Sequence, residues 1–156
     1  MTKYERAGKA KLWLTIGAFV LAFVALLSAI FAINNQTTTT TFGNSDYSIN
    51  AIDASGKIVE SKQSVVSDMA SVEDMKIEID EETATITYKV AFYDEDEKFI
   101  SMTETLDADF DATTTPETAK YFRVMVTPYQ VDGEAVEINI FNQAKYTSQL
   151  DVTINK

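Results

Sequence analysis

The chain has 156 residues, 24% of them charged, a formal net charge of −11, and neither cysteine nor histidine. Lacking cysteine, it has no disulfide scaffold. Lacking both residue types, it has no Ser-His or Cys-His nucleophile pair and none of the usual zinc ligands. The acidic balance disfavours nucleic acid as a partner, because it repels the phosphate backbone.

Residues 1–11 form a short basic tail carrying Lys3, Arg6, Lys9 and Lys11. Residues 12–33, LWLTIGAFVLAFVALLSAIFAI, follow without one charge. As a helix they would extend roughly 33 Å, enough for a hydrocarbon core of about 30 Å. Thirteen of them are Leu, Ile, Phe or Val, and these favour insertion by about 4–8 kcal/mol in total. A transmembrane helix is expected. The run exceeds the 7–15 apolar residues typical of a secretion signal, so it is read as a signal-anchor. The alternative is cleavage near Ala32, which would place Ile30 at the −3 position. No Lys or Arg follows the run until Lys57. The excess of cations before it predicts a cytoplasmic N-terminus and an exported remainder.

Within this helix Thr15, Ala18, Ala22, Ala25, Ala29 and Ala32 recur at steps of three and four. Such a stripe of small residues suits close helix packing, against a partner helix or a second copy. Residues 34–46, NNQTTTTTFGNSD, are expected to be a Thr-rich stalk. They contain a formal glycosylation sequon at Asn35-Gln36-Thr37, placed almost at the bilayer surface.

Residues 47–156 read as strands. Alternation in ITYKVAFYD turns Ile86, Tyr88, Val90 and Phe92 to one face. MKIEID does the same with Met75, Ile77 and Ile79, VEINIF with Val136, Ile138 and Ile140, and LDVTI with Leu150, Val152 and Ile154. Ala54-Ser55-Gly56 is expected to join YSINAID to KIVES, and Asp132-Gly133 signals a second hairpin. QSVVSDMASVE is the one segment expected as helix or loop. Asp94-Glu95-Asp96-Glu97 reads as a charged turn. Seven or eight strands over about 110 residues predict an all-β, antiparallel, immunoglobulin-like β-sandwich ectodomain.

In VAFYDEDEKFI, a strand ends in Val90, Ala91, Phe92, Tyr93 and Asp94, then turns into a second strand. This resembles the small bacterial cell-envelope domains named for their F-x-L-Y-D motif. Val90 stands for the motif's Phe and Phe92 for its Leu. Asp96 or Glu97 stands where a turn Gly is usual. The resemblance covers about forty residues and implies a β-sandwich exposed on a cell envelope. It brings no catalytic residues.

No Ser-x-x-Lys, no Gly-x-Ser-x-Gly elbow and no glycine-rich phosphate loop occurs, so no enzyme activity is expected. One candidate site remains. In LDADFDA, Asp107, Asp109 and Asp111 alternate as in the start of a calcium loop. The sixth position of that loop is Ala112 rather than Gly, and the twelfth is Thr118 rather than Glu. The competing expectation continues the preceding strand through Ile100, Met102, Leu106, Ala108 and Phe110, leaving the aspartates in solvent. The exported residues 34–156 hold 9 Lys/Arg against 23 Asp/Glu, a net −14. The expected function is a membrane-anchored surface or accessory module that binds an envelope ligand or protein. The alternative is a pilin-like filament subunit, which Lys9 and Lys11 after Gly8 disfavour.

Overall fold

The computed structural model describes residues 20–26, 39–130 and 132–155. The chain divides into two compact units, Met1–Thr37 and Thr38–Lys156. In the first unit residues 20–26 are helical, and Val20, Leu21, Phe23, Val24 and Leu26 are each more than half exposed. The rest of the expected 12–33 helix lies outside the described residues, as do the sequon and the positions of the small stripe other than Ala22 and Ala25. Among the described residues no helix is long and apolar enough to cross a membrane.

The second unit is built of antiparallel β-structure. Its strands are β1 (Thr39–Thr41), β2 (Tyr47–Ser48), β3 (Ala51–Ile52), β4 (Ile58–Val59), β5 (Val65–Ser67) and β6 (Ala70–Ser71), then β7 (Lys76–Ile79), β8 (Ile86–Tyr93), β9 (Phe99–Met102), β10 (Tyr121–Pro128) and β11 (Leu150–Asn155), with one short helix, α1 (Gln143–Thr147), before β11. One sheet runs β1-β11-β7. The other runs β2-β5-β10-β8-β9, with β6 also paired to β10, and β3-β4 is a separate hairpin.

The eight-residue strands β8 and β10 are the spine. Their register sets Phe92 opposite Phe122, Val90 opposite Val124 and Tyr88 opposite Val126. Those side chains share one buried cluster with Ile77, Ile79, Leu150, Val152 and Ile154 of the other sheet. The two sheets therefore bury their apolar faces in a common core. Removing each such side chain from water contributes about 1.5–3 kcal/mol.

The outer face of the larger sheet is also apolar. Val66, Ala91 and Tyr93 form a second cluster with Ile52 of the β3-β4 hairpin. The hairpin is pinned by the Tyr93 hydroxyl, which donates to the Gly56 carbonyl at 2.9 Å. Phe99 lies where a Gly56 side chain would be: a Cβ there would approach its ring to 2.2 Å.

Four expectations are corrected. The expected stalk ends sooner, because Thr39–Thr41 pairs with β11 and Phe42 stacks on Phe122 at 6.1 Å. YSINAID divides between β2 and β3, which belong to different sheets. QSVVSDMASVE carries β5 and β6; β5 is buried on both faces, so it lacks the alternation that identifies a half-exposed strand. VEINIF forms no strand. Ile138 is buried, but Ile140 is 75% exposed and Phe141 91%. Asn side chains divert the backbone there: Asn142 Oδ1 accepts the Asn139 N–H, and Asn139 Oδ1 accepts the Phe141 N–H. Asparagine competes with the β ladder in this way.

Candidate functional site

The β8-β9 connection begins with Asp94. Its Oδ1 accepts the backbone N–H groups of Asp96 and Lys98, both at 2.9 Å. Glu97 takes a φ of 59°, the position where glycine is favoured. The Asp53–Lys57 loop has the same arrangement, with Asp53 Oδ1 accepting Ser55 and Lys57 and Gly56 at φ 79°. The charged turn is thus a side-chain-locked hairpin loop that fixes where β9 starts.

Beyond β9 the expected alternation stops. Leu106 exchanges both backbone hydrogen bonds with Tyr88, at 2.8 and 2.9 Å, but no strand continues from it to Phe110. Instead the chain turns across the edge of β7. The Phe110 N–H donates to the Ile77 carbonyl at 3.0 Å, and Asp109 Oδ1 accepts the Ile79 N–H at 2.9 Å. The Tyr88 hydroxyl donates to the Ala108 carbonyl at 2.7 Å. Its burial, and secondarily the Asp109 charge, push its pKa up.

This segment and β9 bound a cleft of about 400 Å³. Phe92, Leu106 and Phe110 supply apolar walls, with Glu104, Asp109 and Asp111 as its acidic members. Phe92 and Phe110 are tilted at 6.0 Å between ring centres. Asp111 Oδ1 accepts the Thr113 hydroxyl at 2.7 Å and its N–H at 2.9 Å. Those bonds, the hydroxyl's first, lower its pKa. Among the described residues no Lys or Arg lines the cleft.

The three candidate aspartates have separate fates. All three are exposed, as the solvent-facing expectation has them, but Asp109 holds the β7 edge, Asp111 caps the 3-10 turn at Ala112–Thr114, and Asp107 does not line the cleft. Among the described residues no group of three His, Cys, Asp or Glu is placed to hold a metal ion. Sequence reasoning missed Glu104, Leu106 and Phe110 as neighbours in a cleft, because a strand through them would have put them on a regular face. It also missed the exposed Ile140-Phe141 pair, whose flanking Asn139 and Asn142 were the available signal.

No family model, curated protein or solved structure matches the chain.

Proposed function

We propose that the chain is a single-pass, membrane-anchored module of a cell envelope, with its β unit on the extracytoplasmic side. On this reading it is no enzyme and works by binding. The observation that carries the reading is a 22-residue uncharged apolar run directly before a unit with its own core. The five exposed apolar side chains of residues 20–26 support it, since they call for an apolar solvent. The four cations before the run and their absence behind it support the orientation. Two antiparallel sheets around one core fit an immunoglobulin-like sandwich.

Alkaline carbonate extraction tests the anchor. The full chain should stay in the membrane pellet and be released only by detergent, whereas a chain lacking residues 12–33 should be soluble. Recovery from the medium of a product beginning at Ile33 would instead mean that the run is a cleaved signal.

A further inference from the structure

We propose that the cleft beneath β9 receives a Lys or Arg side chain from an extended basic segment of a partner protein. The anchored-module reading decides only where that partner is met; the cleft belongs to the β unit alone.

A lysine or arginine side chain has two needs, an apolar wall for its aliphatic stem and anionic oxygens for its head. The cleft offers both, through Phe92, Leu106 and Phe110 and through Glu104, Asp109 and Asp111. Among the described residues none of these carboxylates sits in an ion pair; Lys76, paired to Glu78, feels the charge of Asp109 without bridging to it. The ion pairs among the described residues are Lys62–Glu137, Lys76–Glu78 and Lys98–Asp96, and none uses the cleft. Asp109 and Asp111 each commit Oδ1 to the fold, leaving Oδ2 for a ligand. The volume of about 400 Å³ exceeds one such side chain and lies within the range of ligand sites, roughly 300–1,000 Å³. The net −14 of residues 34–156 attracts cationic partners generally.

A peptide source is favoured over a free amine by the position of β9. It is the last strand of its sheet. Ser101 pairs with Phe92, and the Thr103 N–H donates to the Val90 carbonyl at 2.9 Å. The backbone of Met102, between those pairs, therefore faces the open edge, as alternate residues of an antiparallel ladder do. An extended chain can pair there and turn alternate side chains into the cleft.

The test is a titration of the ¹⁵N-labelled full chain, in zwitterionic detergent, with the capped peptide Val-Lys-Val-Lys-Val. Signals of Thr103, Leu106 and Thr114 should shift, and the Met102 amide should exchange more slowly. Glu104→Gln, which removes a charge that makes no hydrogen bond among the described residues, should weaken binding roughly two- to five-fold. The peptide with Gln in place of Lys should not bind. Shifts scattered over the acidic surface, equal binding by the Gln peptide, or unchanged affinity in Glu104→Gln would overturn the proposal. Equal shifts with 1,5-diaminopentane alone would overturn the peptide source. The titration uses purified chain, so it fails or succeeds independently of carbonate extraction from membranes.

Discussion

Ser67 shows how one hydroxyl can stand in for a strand. Between β5 and β6 the ladder against β10 is interrupted, and the Val124 N–H donates to Ser67 Oγ at 2.8 Å instead of to a carbonyl. Val124 is fully buried, so no solvent can replace that acceptor. Ser67→Ala should cost about 1–3 kcal/mol in urea unfolding, the penalty of an unmet buried donor. Tyr47 is the opposite case. Its buried hydroxyl has no hydrogen-bond partner among the described residues, and burial followed by Asp46 and Asp151 pushes its pKa up. Tyr47→Phe should therefore leave the melting temperature unchanged or raise it, and a fall of several degrees would show that the hydroxyl is satisfied in solution. Phe141, at 91% exposure, contributes nothing to the core, so Phe141→Ser should change stability by less than about 0.5 kcal/mol.

At the scale of elements, the β3-β4 hairpin closes the outer face of the larger sheet, and Gly56 lets it approach. Gly56→Ala imposes a side chain at φ 79° and a clash with both the ring and the Cβ of Phe99, so the backbone of one loop must shift. The expected loss is about 1–3 kcal/mol, with the hairpin amides losing hydrogen-exchange protection before β8 and β10. Uniform loss across the sheet would show that the hairpin is part of one cooperative unit. Element legibility followed burial. β7, β8 and β11 read correctly because one face of each meets the core and the alternation survives in sequence. β5 did not, since Val65 and Val66 serve opposite clusters and leave no period. The segment after Met102 misled for the converse reason: Leu106, Ala108 and Phe110 keep a strand's spacing while the backbone turns to close β7. The cleft arises from that turn, so Asp109 and Asp111 were visible in sequence as candidates, but Glu104 and the apolar walls beside them were not.

For the molecule as a whole, charge sets the acid response. Asp53 and Asp80 are held below the usual carboxylate range, chiefly by the hydroxyls of Ser55 and Thr83, as is Asp111 by that of Thr113. A depressed folded-state pKa stabilises the fold above the unfolded value, about 3.9 for aspartate, and that contribution is lost as pH falls through the folded value. The melting temperature should fall below about pH 4. Asp53→Asn keeps an acceptor oxygen but cannot titrate, so it should fall less steeply over the same range; equal slopes would remove Asp53 from the explanation. Relief of repulsion within a −14 unit acts the other way, and the comparison with the variant cancels it. The central claim is the placement of this acidic unit outside an anchored membrane helix, and labelling of intact cells measures it directly. Ser45 is exposed at the start of the β unit, and Thr2 lies before the apolar run. Ser45→Cys should react with a membrane-impermeant maleimide while Thr2→Cys reacts only after lysis; the reverse pattern would contradict the account.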